Sequence, residues 1–216
     1  MAETFASIIV TAQHISGERR LVVHNPTDYP LIGMGAQGAV FRISAEECVK
    51  IYQDPREAVF EREALEAAKG IAYFPRLLRS GPNYIVMEYI EGPSLETVLY
   101  QGQPLTERMA GQLLGILQEM RRLRFTRIDT RTEHILVSEG ERLHVIDHIG
   151  AFLTTRQVPY LLLRSLEWVG ALLPFLAYVA HHDPELYNEW CLKRKEGVDD
   201  IQGVPEIPPA ALLPTK

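Results

Sequence analysis

Cysteine is scarce in this sequence, and the two cysteines that are present form no framework. Cys48 and Cys191 lie far apart in a chain of 216 residues, and no C-x-x-C pair occurs. A scaffold held together by disulfides is therefore excluded. A reducing compartment is the simplest one for such a chain, and we predict a cytoplasmic protein.

Positive charge is also limited. The chain has 22 lysines and arginines against 28 aspartates and glutamates, which gives a net charge of −6. Binding to nucleic acid or to acidic membranes rewards a basic surface. The charge balance therefore argues against both, and we predict no nucleic-acid partner.

A long uninterrupted hydrophobic run is missing as well. The most apolar stretch, residues 160–180, contains Arg164, Glu167 and Pro174. Charges in a transmembrane helix are costly, and proline breaks or kinks a helix. We favour two buried helical pieces over a membrane segment, so no membrane span is expected. The N-terminus has no basic segment followed by an apolar one, which predicts that no signal peptide is present.

What is present divides the chain into a strand-rich first half and a helix-rich second half. Alternating apolar residues predict strands over 7–13 and 20–24 around a turn at Gly17, and then over 29–34, 39–44, 47–52, 75–81 and 84–90. Helix formers predict a helix over 56–69, followed by Gly70 as a C-terminal cap. After a linker near 91–93, we expect a helix from Ser94, an amphipathic helix over 105–125, a hairpin over 135–147 and helices up to about residue 195.

Residues 31–43, LIGMGAQGAVFRI, hold Gly33, Gly35 and Gly38 in the spacing G-x-G-x-x-G. Without Cβ atoms, such a backbone can approach phosphate oxygens and present N–H groups to them. A Walker loop needs lysine and then serine or threonine after the last glycine, where alanine and valine stand here. A dinucleotide-binding fingerprint needs a helix after the glycines, and the nine residues of 39–47 leave little room for one.

A third interpretation fits better, a glycine-rich hairpin over a nucleotide. The pattern extends to G-x-G-x-x-G-x-V with Val40, and the next strand carries Lys50, which would add a positive charge to the phosphates. An ordinary turn is the alternative. Two acidic motifs follow farther along the chain, RIDTRTEHILV at 127–137 and HVIDHIG at 144–150.

In this order the motifs resemble those of the protein-kinase-like superfamily, over roughly residues 29–152, and in particular a short bacterial serine/threonine kinase-like protein. The resemblance implies an α+β, bilobal fold. Residues 1–90 would form a small antiparallel sheet lobe with one helix that binds nucleotide, and 91–198 a reduced, mainly helical catalytic lobe. Residues 199–216 would form a proline-rich, flexible tail. ATP, with Mg²⁺ or Mn²⁺, and a protein substrate are the implied ligands.

The resemblance also assigns roles around the nucleotide. A glutamate on the helix after Lys50 should orient the lysine; Glu63 is the best match and Glu61 the alternate, and a solvated helix face is the other possibility for either. Residues 84–95 resemble the strand and hinge that hold adenine. There the gatekeeper would be Met87, and backbone groups of Glu88 and Ile90 would pair with the adenine edge.

The catalytic roles fall on the two acidic motifs. Asp129 matches the base that accepts the proton of the attacking hydroxyl, and Arg131 the residue near the transferred phosphate. Asp147 matches the magnesium ligand, because a carboxylate suits a hard cation. His134 stands where the family has a second metal ligand, an asparagine. Imidazole suits Mg²⁺ poorly, so one metal could suffice, Mn²⁺ could be preferred, or activity could be weak. Alternatively, His134 could hydrogen-bond to the loop.

The sequence also departs from the family pattern. Arg127-Ile128 replaces the usual His-Arg, and His148-Ile149 follows Asp147 in place of Phe-Gly. No A-P-E motif occurs, and only about ten residues separate Asp147 from the next helical stretch. The matching motifs nevertheless predict a serine/threonine protein kinase. A nucleotide-binding pseudokinase, or a kinase of a sugar, lipid or other small molecule, is the alternative.

Overall fold

The computed structural model describes residues 4–15, 18–195 and 207–209, and this part of the chain is α+β, with antiparallel sheets and six α-helices. The chain divides into two compact units. The first unit comprises Met1–Ile90 together with Asp147–Ala151, and the second comprises Glu91–Ile146 together with Phe152–Lys216.

The described residues of the first unit form one α-helix and seven strands. After a short 3₁₀ turn at Thr4–Ser7, its elements are β1 (Ile9–Ile15), β2 (Glu18–His24), β3 (Leu31–Met34), β4 (Gly38–Arg42), β5 (Glu47–Tyr52), α1 (Pro55–Ala67), β6 (Leu77–Ser80) and β7 (Tyr84–Glu88). Strands β1 and β2 form a hairpin, and the others form one antiparallel sheet in the order β3-β4-β5-β7-β6. The predicted strands are thus confirmed, whereas the predicted turn at Gly17 lies outside the described residues.

Helix α1 begins at a clear sequence signal. The Asp54 carboxylate accepts a hydrogen bond from the backbone N–H of Arg56, and Pro55 occupies the first helical position, where a missing N–H costs nothing. Past its end, Gly70 adopts a φ of 84°, in the left-handed region that favours glycine. The helix buries one face, which consists of Ala58, Glu61, Ala64 and Leu65.

The core of the first unit joins the N-terminal segment to the five-stranded sheet. Phe5, Ile8 and Val10 are buried in one cluster with residues of β4, β5 and β7, namely Ala39, Phe41, Val49, Ile51 and Val86. The rings of Phe5 and Tyr84 meet edge to face at 5.0 Å. The first strands therefore pack on the sheet as part of the same folded unit.

The second unit is mainly helical. Its elements are α2 (Leu95–Tyr100), α3 (Glu107–Arg122), a 3₁₀ turn (Thr132–His134), β8 (Ile135–Ser138), β9 (Arg142–Val145), α4 (Tyr160–Trp168), α5 (Leu172–His182) and α6 (Pro184–Lys195). The hydroxyls of Ser94 and Thr106 cap α2 and α3 by accepting from Thr97 N and Met109 N. The predicted face of α3 is buried: Met109, Leu113, Ile116, Leu117 and Met120.

The apolar stretch over 160–180 folds as the two predicted helical pieces, α4 and α5. The break falls at residues 169–171, where Gly170 has a φ of 72°, and not at Pro174. Pro174 lies in the first turn of α5, where the backbone N–H has no intrahelical partner to lose. None of the described helices is long and apolar enough to cross a membrane. The tail predicted over 199–216 lies outside the described residues except at 207–209.

Gly38→Ala should destabilise the fold, because a Cβ at Gly38 would collide with the carbonyl oxygen of Ile51 on the neighbouring strand. Forcing an atom into a packed site costs on the order of 1–3 kcal/mol. Gly35→Ala is the matched control, since nothing lies within 4 Å of its Cβ position. Denaturant unfolding of the full chain measures both, and equal unfolding free energies for the two variants would contradict the close approach.

Candidate functional site

Lys50 places a positive charge inside the first unit. It lies in the middle of β5, in register with Val40 of β4 and Ile85 of β7, and is 8% exposed. Its Nζ lies 2.6 Å from Glu61 Oε2 and 3.0 Å from Asp147 Oδ1. Burial by itself lowers the pKa of Lys50, but the two carboxylates outweigh it and hold the pKa above its ordinary value. The ammonium therefore stays charged.

The glutamate that holds Lys50 is Glu61, so the expectation of Glu63 was wrong. Glu61 is 1% exposed and accepts two further hydrogen bonds, from Tyr52 OH at 2.6 Å and from the backbone N–H of His148 at 3.3 Å. Glu63 is exposed. Two residues along a helix correspond to about 200° of rotation, so both cannot face the sheet. The apolar spacing around Glu61 carries this signal in the sequence.

Asp147 has an unusual backbone conformation. Its φ is 66°, in the left-handed region that residues other than glycine seldom adopt. The strained conformation brings its carboxylate to Lys50, and strain of this kind concentrates at functional sites. Next to it, His148 is buried, and its ring lies 4.9 Å from that of Phe74. The segment after Asp147 is thus packed into the first unit.

The predicted phosphate-binding glycines lie in the β3–β4 hairpin. Gly33 of β3 pairs with Val40 of β4, and Gly35 N donates to Gly38 O at 3.0 Å across the turn. Val40 is also paired with Lys50 on β5. The turn and the lysine therefore sit on adjacent strands of one sheet, which is the arrangement that the sequence predicted.

The three residues assigned to adenine lie on β7 and just after it. Met87 is 7% exposed and paired with Cys48, and Ile90 is half-buried. The backbone N–H of Glu88 already donates to Arg76 O at 2.9 Å, so this group is engaged within the sheet. Their adenine roles stay a prediction.

Cys48 lies on β5, two residues before Lys50. Burial raises the pKa of its thiol to about 12, which makes a reactive thiolate on β5 unfavourable.

In the second unit, Asp129 is buried among hydrogen-bond donors. Its Oδ1 accepts from the backbone N–H of Leu161 at 2.7 Å, in the first turn of α4, and Arg156 Nη1 lies 3.4 Å from Oδ2. Burial raises the pKa of Asp129 to about 6, against the lowering effects of the Leu161 N–H, Arg127 and Arg156. The chain around it is fixed too, because Ile128 N donates to Arg156 O at 2.9 Å.

Arg131 and His134 lie in the same segment, residues 127–137, as Asp129, but both approach the carboxylate of Glu133. Arg131 Nη1 lies 3.0 Å from Glu133 Oε1, and His134 Nε2 lies 3.7 Å from the same oxygen. Among residues 4–15, 18–195 and 207–209, no group of three or more His, Cys, Asp or Glu side chains could hold a metal ion by itself. The metal roles of Asp147 and His134 stay predictions.

Three groups that contact Glu61 or Asp129 were not predicted from the sequence: the hydroxyl of Tyr52, the guanidinium of Arg156 and the backbone N–H of Leu161. Tyr52 lies two residues after Lys50, and side chains alternate along a strand, so its orientation toward the same side as Lys50 was available from the sequence. Arg156 and Leu161 reach Asp129 from 27 and 32 residues farther along the chain, and no local pattern announces such a contact.

A groove of about 630 Å³ opens in the second unit beside Arg131 and Glu133. Arg131 and Glu133 line one side, Glu96 of α2 another, and α4 contributes Arg164, Glu167 and Trp168. Trp168 is 78% exposed. This volume is in the range of sites for small molecules.

Two curated proteins of Bacillus subtilis (strain 168) are similar to this chain, whereas no family model matches it. One, named "Putative serine/threonine-protein kinase YrzF", is 24% identical over 151 residues, with 68% of this chain and 69% of that protein covered. The other, named "Probable serine/threonine-protein kinase YbdM", is 29% identical over 172 residues, with 68% and 67% covered. These similarities support a kinase-like chain.

Glu61→Gln should destabilise the first unit by on the order of 3 kcal/mol, because it removes one carboxylate from a buried lysine. Glu63→Gln, two residues away on the exposed face of α1, is the matched control and should stay within about 0.5 kcal/mol of the wild type. Denaturant unfolding measures both. A loss in Glu63→Gln that equals or exceeds that in Glu61→Gln would contradict the observed pairing.

The raised pKa of Asp129 predicts a pH-dependent stability. Between the ordinary value of 3.8 and the folded value of about 6, the folded chain retains a proton that the unfolded chain has released. The stability contributed by Asp129 therefore falls as the pH rises through this window, by about 1.4 kcal/mol per pKa unit. Asp129→Asn removes the titration. The unfolding free energy of the wild type relative to this variant should fall from about pH 4 to about pH 7, and a constant difference would contradict the raised pKa.

Proposed function

We propose that this protein is an ATP-dependent phosphotransferase that transfers the γ-phosphate of ATP to a hydroxyl, in particular to serine or threonine of a protein. The observation that carries the proposal is the Lys50 ammonium, buried between carboxylates that come from 11 and 97 residues along the chain. A buried ion pair is seldom retained for stability alone, since desolvation offsets most of its attraction. A charged lysine beside a glycine-rich turn is suited to bind phosphate oxygens.

The first unit would hold the nucleotide. The glycine-rich turn would offer open backbone to the phosphates at Gly35, where nothing lies within 4 Å of the Cβ position. Lys50, oriented by Glu61, would add a fixed positive charge for them. Asp147 would hold Mg²⁺, because its carboxylate is 29% exposed and is an oxygen ligand of the kind that this cation prefers. Mg²⁺ in nucleotide sites needs only one or two protein carboxylates, since phosphates and waters complete its coordination. Bound there, the ion would neutralise phosphate charge.

The second unit would supply the group that receives the proton. The acceptor hydroxyl oxygen forms a bond to the γ-phosphorus, the bond from that phosphorus to the β–γ bridging oxygen breaks, and ADP leaves with that electron pair. The hydroxyl proton passes to Asp129. With a pKa of about 6, Asp129 is mostly ionised at neutral pH and still basic enough to accept a proton. Arg131, which lines the groove, would offset charge on the transferred phosphate.

The names of the two similar proteins favour serine or threonine of a protein as the acceptor. The groove beside Arg131 and Glu133 supports an acceptor that enters from the surface of the second unit. Its mixed lining of carboxylates, arginines and an exposed tryptophan suits a polar group with an apolar part.

A second candidate function is nucleotide binding without turnover. It is favoured by the surroundings of Asp129, whose side chain is 0% exposed and is already engaged by Leu161 N and Arg156. A base in that state cannot reach a hydroxyl unless the segment around residues 156–161 moves. His134 in place of an amide ligand favours the same candidate.

The purified full chain, supplied with Mg²⁺ or Mn²⁺ and labelled ATP, should phosphorylate serine or threonine in a protein mixture. Asp147→Asn should weaken metal-dependent nucleotide binding, whereas Asp129→Asn should bind nucleotide normally and lose about 100-fold or more in turnover. Glu63→Gln serves as the control and should match the wild type.

Three outcomes would contradict parts of this proposal. Nucleotide binding without transfer under either metal would support the second candidate. Label confined to sugars, lipids or other small molecules would replace the protein acceptor. Full turnover in Asp129→Asn would remove that residue from catalysis.

A further inference from the structure

Arg19 of the N-terminal hairpin reaches the glycine-rich turn. Its Nη1 donates to Ala36 O at 2.7 Å, within the turn between β3 and β4, and its Nη2 donates to Gln53 Oε1 at 2.9 Å. Gln53 directly follows β5, the strand of Lys50, and its own N–H donates to Gln37 O at 2.9 Å. One guanidinium therefore connects the turn to the end of the lysine strand.

The element that carries Arg19 is itself anchored. Strands β1 and β2 pair in an unbroken register from Ile9–His24 to Ile15–Glu18. Near the open end of this hairpin, Phe5, Ile8 and Val10 are buried in the core of the first unit. Arg19 lies toward the other end, where it is paired with His14. Because one end of the hairpin is packed into the core, the strand that carries Arg19 is held in place relative to the sheet.

We propose that Arg19 is a positioning residue that holds the glycine-rich turn in the conformation that receives the phosphates of the nucleotide. This inference rests on the proposed function and gives the N-terminal hairpin a role in it. Nothing lies within 4 Å of the Cβ position of Gly35, and the turn is restrained by hydrogen bonds from Gly35 N to Gly38 O and from Gln53 N to Gln37 O. The contact of Arg19 with Ala36 O adds a side-chain restraint between these two bonds. Ordering the turn in advance lowers the entropic cost of binding. The fork of a guanidinium suits this task, because two of its N–H groups can bind two acceptors at once.

The test compares Arg19→Ala with Arg20→Ala in the full chain. Arg20 is the matched control: it lies on the same strand, carries the same charge and pairs with Glu18 at 2.9 Å. Arg19→Ala should raise the Kd and KM for Mg²⁺–ATP about fivefold to tenfold with kcat within about twofold. Arg20→Ala should match the wild type. Arg19→Lys should fall between, because a single ammonium lacks the two-armed geometry.

Amide hydrogen exchange without nucleotide gives a direct measure of the turn. Exchange at residues 35–37 should be faster in Arg19→Ala and unchanged in Arg20→Ala. If the wild type binds Mg²⁺–ATP and Arg19→Ala binds it equally well, or loses kcat and thermal stability with KM unchanged, the inference about Arg19 is overturned and the proposed function stands. If the wild type binds no nucleotide, the proposed function fails, and the nucleotide role of Arg19 fails with it.

Discussion

The buried charge of Lys50 must be paired with opposite charges, and this requirement fixes several elements of the first unit relative to one another. An ammonium in such surroundings is stable only when opposite charges and hydrogen-bond acceptors replace its hydration. Two carboxylates do so here, Glu61 from α1 and Asp147 from a distant part of the chain. Glu61 is in turn fixed by Tyr52 and by the backbone of His148. The positions of β5, α1 and the Asp147 segment are therefore interdependent, since moving any one leaves a buried charge without its partner.

The second unit also contains a buried ionisable group, Asp129, but its surroundings offset the cost of burial only in part. Asp129 is surrounded by a backbone N–H, which carries only a partial charge, and by an arginine at 3.4 Å. These donors do not fully offset burial, so its pKa rises to about 6, whereas Lys50 remains charged over the whole physiological range. One unit thus holds a permanent cation and the other an acid that titrates near neutrality. These are different chemical tools: a permanent charge suits binding of phosphate, and a titratable acid suits proton transfer.

Much of the fold could be predicted because its signals are local. The limits of β5, the buried face of α3 and the hairpin around Gly140 all follow from alternation, helical spacing and turn residues. The prediction of Glu63 was wrong because Glu61, and not Glu63, shares a helical face with Ala58, Ala64 and Leu65. This spacing is present in the sequence. The surroundings of Asp129 and the contact of Arg19 with Ala36 could not be predicted from the sequence, because both depend on how segments far apart in the chain pack together.

The division of the chain into two units bears on how the protein could be dissected. Because Asp147–Ala151 belongs to the first unit, the polypeptide passes between the units at three points, and no single cut separates them. An excised fragment of residues 1–90 would keep Lys50 and Glu61 but lack Asp147. Such a fragment would be a poor surrogate for the proposed nucleotide site, and a natural truncation near residue 90 would remove a carboxylate that pairs with the lysine.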